Sequence, residues 1–267
     1  MHFSPKNPEK FSQDQLVEWQ ELSDVAECRD VQKSSREGFL DYVKYMWPEF
    51  IENGHHRMMA DKFDRIVSGD LKRLIINMPP RHTKSEFASV YLPSYFMGHN
   101  PKGYIMEATH TSKLAINFGR KVRDLIKTPE YQELFSGTMM SADSTASGLW
   151  HTSAGGAYFA CGVGSSIAGF GADLFVIDDP HSEKHAESAG ILDSHYDWYQ
   201  AGPIQRLQPG GAIVIVMTRW SKRDLTSRVI ERMREEHADT WEIIKLPQFL
   251  PSGRLLWPGW FGEEEVL

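Results

Sequence analysis

An apolar, β-branched run, Leu74-Ile75-Ile76-Asn77, breaks into a tight Pro-containing loop that closes on Lys84-Ser85, ahead of an apolar helical pattern. Strand, short loop and helix in that order aim successive backbone N–H groups and the positive helix end at one point, where a phosphate binds. Lys84 and Ser85 bring to that point an ammonium and a hydroxyl, the groups that nucleotide phosphates and Mg²⁺ require. The pattern G-x-x-x-x-G-K-[ST] puts glycines at 78 and 83, and the chain has Met78 and Thr83 there. If residue 83 takes a positive φ, Thr83→Gly is expected to relax the loop and tighten nucleotide binding.

Two further apolar runs end in polar groups. Ala172-Asp173-Leu174-Phe175-Val176-Ile177-Asp178-Asp179-Pro180 reads as a buried strand whose carboxyl end carries two carboxylates. In parallel sheets the strand interior is apolar on both sides, so functional groups collect at that end. Adjacent strand residues point opposite ways, which assigns Asp178 to the Mg²⁺ shell beside Ser85 and Asp179 to the γ-phosphate and its attacking water. Gly210-Gly211-Ala212-Ile213-Val214-Ile215-Val216-Met217 is a third run, and Thr218-Arg219 follows it. Thr218 is then placed to sense the γ-phosphate, although it also suits the cap of a following helix.

Together these segments resemble the ATPase domain of the large terminase subunit, the motor of tailed bacteriophages, over roughly residues 45 to 262. The resemblance rests on Trp47-Pro48-Glu49-Phe50, on Met78 to Ser85, on Ile177-Asp178-Asp179-Pro180, and on Met217-Thr218-Arg219-Trp220 followed by Asp224-Leu225. It implies an α/β P-loop NTPase of the ASCE type, with a central, mostly parallel sheet flanked by helices and a strand added between the phosphate-loop and Asp-Asp strands. ATP and Mg²⁺ are the implied substrate and cofactor. Pro80, Arg81, His82, Thr83, Lys84, Ser85 and Glu86 form the nucleotide loop, Ser85 and Asp178 the metal ligands. Lys84, Asp179, Thr218 and Arg81 serve catalysis, and Arg206 is the choice for a finger reaching a neighbouring subunit, with Arg120 and Arg123 as rivals. The implied partners are double-stranded DNA, a portal protein and a small terminase subunit, in a homo-oligomeric ring that is monomeric as an isolated domain. The implied place is the host cytoplasm, docked transiently on the procapsid portal. Three positions depart from the family pattern: Thr83 where Gly is usual, Asp179 where many relatives carry Glu, and Gly169-Phe170-Gly171 where related sequences have Gly-Arg-Gly. Two other classes are a helicase-like P-loop ATPase, which needs a second RecA-like half, and a weak nucleotide-binding regulator.

Composition fits this reading. At 267 residues the chain can bury a large core. Cys28 and Cys161 are expected as reduced thiols in apolar surroundings. No apolar run reaches the length of a membrane span, and the polar start is no signal peptide, so neither membrane insertion nor secretion is expected. The net charge of −7 argues against wholesale wrapping of DNA, so a basic lining must be local. Lys113 to Lys127 and Arg219 to Arg234 are the two basic stretches at helical spacing.

Residues 1–45 read as a polar, weakly helical peripheral segment, 46–246 as the ATPase core, and 247–267 as a Pro-, Gly- and Trp-rich lid or linker ending in acidic Glu263–Glu265. The terminase resemblance places adenine near Trp47–His56. Strands are expected at about 103–109 and, as a hairpin, at about 149–152 and 157–161, with a mobile loop over Ser136–Gly148. After Asp239 the only carboxylates are Glu242 and the terminal glutamates, too few for a nuclease metal site, so a nuclease domain is absent from this stretch and DNA cleavage is not expected. His181 and His185, four apart, are a weak zinc pattern, because Ser182 stands where a zinc protease has Glu. His82 is expected to donate to phosphate or pack the loop's rim.

Overall fold

The three apolar runs become neighbouring strands. The computed structural model describes residues 12–142, 144 and 146–262, so the expectations for residues 1–11 and Glu263–Glu265 lie outside the described residues. Strands β1 (Arg73–Asn77), β2 (Tyr104–Thr109), β3 (Leu149–His151), β4 (Ala157–Gly162), β5 (Ala172–Asp178), β6 (Leu207–Met217) and β7 (Glu242–Lys245) form one sheet. Its order is β3-β4-β2-β5-β6-β1-β7. Every pairing is parallel except β3 with β4, the expected hairpin. The fold is thus α/β with a mostly parallel sheet; β2 is the further parallel strand that the chain makes between the phosphate loop and the Asp-Asp strand, while in the sheet it is β6 that lies between β1 and β5.

Strand alternation divides the core in two. Leu74, Ile76, Leu174, Val176, Val214 and Val216 face one side, and Ile75, Phe175, Ile177, Ile213 and Ile215 the other; all are fully buried. Helices cover both faces, which is what continuous apolar strands require. On the first face lie α2 (Phe39–Met46), α3 (Gly54–Ser68) and the rod that follows the phosphate loop. On the second lie α9 (Ala189–Ala201) and α11 (Leu225–Arg232); α6 (Ser112–Ile126), α7 (Pro129–Leu134) and α8 (Glu183–Ala186) precede α9 in the chain, and α10 (Pro203–Arg206) follows it. The rod begins as α4 (Lys84–Glu86), passes through a π-helical turn (Phe87–Tyr91) and continues as α5 (Leu92–His99). Pro93 has no N–H for the carbonyl of Ser89, and the turn ahead of it widens so that Leu92 N–H reaches Phe87 O.

The ends of the chain differ from expectation. The stretch read as weakly helical is one continuous helix, α1 (Gln13–Glu37), and α2 places Phe39, Tyr42 and Val43 in the main core, ahead of the boundary at 46. Propensity rather than an apolar stripe makes α1 a helix, and its Val17, Leu22, Val25 and Val31 stay exposed. Cys28, expected in apolar surroundings, is exposed on α1, whereas Cys161 is buried. At the other end Leu256 joins the main core, so the segment after 246 docks on the body. Among the described residues no helix is long and apolar enough to cross a membrane.

Candidate active site

The carboxyl ends of β1, β6 and β5 lie side by side, and the loops leaving them meet. Thr218 Oγ1 donates to Met78 O at 3.2 Å, which joins the end of β6 to the phosphate loop. Within that loop Arg81 and Thr83 both have φ of 62°, in the left-handed region that β-branched residues seldom occupy. The Thr83 hydroxyl donates to His82 O at 2.6 Å and accepts from His56 Nε2 at 2.8 Å. His56 Nδ1 in turn accepts from Asn53 N–H at 2.9 Å, which fixes the ring as the neutral Nε2–H tautomer. Burial, then the neighbouring His55 and His82, holds the pKa of His56 down to about 3.

This contact reverses the effect expected from Thr83→Gly. Residue 83 does adopt a positive φ, and glycine would remove roughly 1 kcal/mol of backbone strain. Glycine would also orphan the buried His56 N–H, at a cost of about 1–3 kcal/mol. Thr83→Gly should therefore lower the melting temperature without tightening nucleotide binding, and Thr83→Ser should keep the hydrogen bond. A calorimetric titration in which the glycine variant binds more tightly would show that strain dominates.

The remaining loop residues are disposed unevenly. His82 is buried and its Nδ1–H donates to Pro80 O at 2.8 Å, so this nitrogen braces the loop and is not free for phosphate. Pro80 and Arg81 are exposed, and Glu86 forms an ion pair with Lys121. A cleft of about 660 Å³ opens beside the loop, lined by Arg81, Thr83, Lys84 and Ser85 and, across from them, by Trp47 and Phe50.

Three of the sequence-assigned groups meet directly. Lys84 Nζ lies 2.7 Å from Asp179 Oδ2 in an ion pair whose lysine is almost wholly buried. Asp179 Oδ1 accepts the Thr218 N–H at 2.9 Å. A left-handed turn at Asp179, φ 40°, takes its side chain away from that of Asp178. Asp178 is buried beneath the rod, where Oδ2 accepts from Ser89 Oγ at 3.2 Å and Oδ1 has no partner. Burial and then the charge of Asp179 raise its pKa to about 7, against the opposing pull of Lys84, Ser85 and Ser89.

Sequence reasoning missed Glu107. It lies on β2 between Val176 of β5 and Ala160 of β4, fully buried, with neither carboxylate oxygen partnered. Ser89 gives its hydroxyl proton to Asp178, which leaves Glu107 without that donor. Burial, then repulsion from Asp178, pushes its pKa well above the usual carboxylate range.

Other expected residues are placed elsewhere. Arg219 bonds back to Asp224 (2.6 Å) and Ser227 at the start of α11, and with Thr218 it lines a cleft beside Met78, Pro79 and Pro80 that Lys84 does not line. His181 and His185 do not form a ligand pair. His181 Nε2 accepts Leu225 N–H at 3.0 Å and its Nδ1 lies 3.0 Å from His195 Nδ1, while His185 Nδ1 accepts from Ser182 N–H. Among the described residues no group of three His, Cys, Asp or Glu is arranged to hold a metal. Arg206 precedes Leu207, which pairs with Ala172 at the start of β5, so it sits at the opposite end of the sheet from Lys84. Six residues of strand separate the two ends, about 20 Å, and Arg206 cannot serve its own chain's crevice.

Compared with solved structures, the chain is similar to the large terminase of bacteriophage HK97, at a TM-score of 0.43 and 11% identity over 77% of this chain. It spans 41% of that terminase's length. No protein-family model matches the chain, and neither does any curated protein.

Proposed function

We propose that the chain is an Mg²⁺-dependent ATPase, the motor domain of a large-terminase-like protein that drives double-stranded DNA into a viral procapsid. The observation that carries the ATPase reading is the meeting of Lys84, Asp179 and Thr218 at the ends of three adjacent parallel strands. Ligands of such sheets bind in the crevice outside the carboxyl ends. The DNA, the portal and small-subunit partners, and the cytoplasmic setting rest on the motif resemblance alone.

The residues divide the chemistry between them. Lys84 neutralises the β- and γ-phosphates, and doing so parts it from Asp179. Asp179 is then free to orient the attacking water, still held by the Thr218 N–H. Ser85 and Asp178 fit a Mg²⁺ ion, because Asp178 is a buried carboxylate with an unpartnered oxygen beside a serine-bearing helix start. When bound, that ion would neutralise charge on the phosphate oxygens. Arg81, exposed at the cleft, is the arginine available in cis.

Turnover of Mg·ATP with and without double-stranded DNA tests the reading. Mg²⁺-dependent hydrolysis is expected, with a DNA stimulation that weakens as salt rises; no hydrolysis under any condition would sink it. Arg206 is too far away to serve its own site, so if it is the finger for a neighbour's ATP, specific activity should climb with protein concentration. Mixing Arg206→Ala with Lys84→Ala subunits should restore part of the activity that neither has alone. Full activity of Arg206→Ala by itself would remove Arg206 and turn attention to Arg120 and Arg123.

A further inference from the structure

The cleft beside the phosphate loop has a second wall, contributed by the far end of the chain. Residues 256–261 fold back across the start of α3, tethered by Asn53 Nδ2, which donates to Leu256 O at 2.7 Å. Trp257 is the anchor: it is 3% exposed, meets His56 edge-on with ring centres 4.9 Å apart, and its indole N–H has no partner. Phe261 lies over His82 of the phosphate loop, ring centres 4.9 Å apart. The loop and this strap are therefore one packed unit.

Trp260 is different. It stacks on Trp257, ring centres 5.3 Å apart and planes within 20°, yet remains 56% exposed. One face of the indole is backed by a buried ring and the other is open at the cleft that Lys84 and Ser85 also line. A large apolar ring held in place and left to water is the arrangement of a binding surface, since its ordering has already been paid for by Trp257. Across the cleft stand Trp47, Phe50 and Ile51. A volume of about 660 Å³ falls within the range of small-molecule sites, roughly 300–1,000 Å³. The cleft thus has a cationic, hydroxyl-bearing end and an aromatic end, which is the division of a nucleoside triphosphate.

We propose that Trp260 is the stacking platform for the base of the nucleoside triphosphate whose phosphates Lys84 and Ser85 hold, so that the C-terminal strap completes the base site. The inference rests on the phosphate reading above and extends it to an element that no phosphate chemistry requires. Stacking on one indole raises affinity for any aromatic base and selects weakly among them, because every base offers a π face.

Calorimetric binding of Mg·ATP and of Mg·tripolyphosphate, which lacks base and ribose, separates the two readings. Trp260→Ala is expected to weaken Mg·ATP binding roughly 5- to 100-fold and to leave tripolyphosphate binding unchanged. Trp260→Phe should recover most of the difference, and Mg·ATP should change the tryptophan fluorescence of the parent protein but not of Trp260→Phe. Equal affinity of the parent for both ligands, or wild-type ATP affinity in Trp260→Ala, would overturn the platform while leaving the phosphate site standing. Failure of the parent to bind either ligand would overturn both. Trp260 is exposed, so its truncation should leave the core intact, and circular dichroism of the variant checks this.

Discussion

Lys84→Ala is expected to lower ATP turnover by at least about 10²-fold, the scale of removing one preorganised charge from a developing transition state. The fold should survive. Lys84 is almost wholly buried and its loss leaves Asp179 unpaired, but Asp179 is a quarter exposed and can be hydrated, so the loss of stability should stay at about 1–3 kcal/mol. Asp179→Asn should behave differently from Lys84→Ala in one respect. The amide oxygen can still accept the Thr218 N–H, so the corner keeps its shape, but Lys84 no longer has a carboxylate to leave before it meets phosphate. Mg·ATP should bind Asp179→Asn as tightly as the parent or more so, while hydrolysis falls by a similar 10²-fold or more, since the water loses its orienting charge. Titration calorimetry and a phosphate-release assay on the two variants give the four numbers needed. Normal turnover in Asp179→Asn would hand the water to another carboxylate, Glu183 or Glu187. Normal turnover in Lys84→Ala would remove the phosphate-loop assignment itself.

That pair of variants could be named from the sequence because buried parallel strands leave a loud signal. β1, β5 and β6 have unbroken apolar interiors, Leu74–Ile76, Leu174–Ile177 and Ala212–Met217, and Lys84, Asp178, Asp179 and Thr218 follow at their carboxyl ends. The sheet order was not legible, since no local pattern says that β6 inserts between β1 and β5. The aromatic strap was visible as composition. Its contact with the phosphate loop was not, because Phe261 and His82 are far apart in sequence and nothing in either segment names the other. The Thr83 hydroxyl was read only as a missing glycine, although its partner His56 stands in a capping box with Asn53 that a sequence pattern of Asn followed three residues later by His does not announce. α1 escaped for a simpler reason: a helix that packs on its neighbours along a narrow edge needs no strong apolar period.

Glu107 escaped for the opposite reason, and replacing it should produce the largest gain in stability. Tyr104-Ile105-Met106-Glu107-Ala108-Thr109 reads as a strand with an ordinary polar residue, and burial comes only from β4 and β5 pairing on either side and the rod packing above. A carboxyl there has lost its water and gained no donor, a cost of about 1–3 kcal/mol that an apolar side chain of similar volume does not bear. Glu107→Met should therefore raise the urea midpoint. The effect should depend on pH with a definite sign. The folded-state pKa of Glu107 lies well above its unfolded value, so the wild-type group is least harmful below the unfolded pKa, near 4.5, and costs more as pH rises towards the folded pKa. The advantage of Glu107→Met should accordingly be small at pH 4.5 and larger at pH 8, which denaturant titrations at the two pH values measure directly. A variant that is less stable by the same amount at both would mean that Glu107 fills space and nothing more. If the gain appears at pH 8 and turnover falls with it, the unpaired carboxyl beside Asp178 is a stability cost held next to the proposed Mg²⁺ ligand, and Glu107 acts on hydrolysis through Asp178 and not by touching the nucleotide.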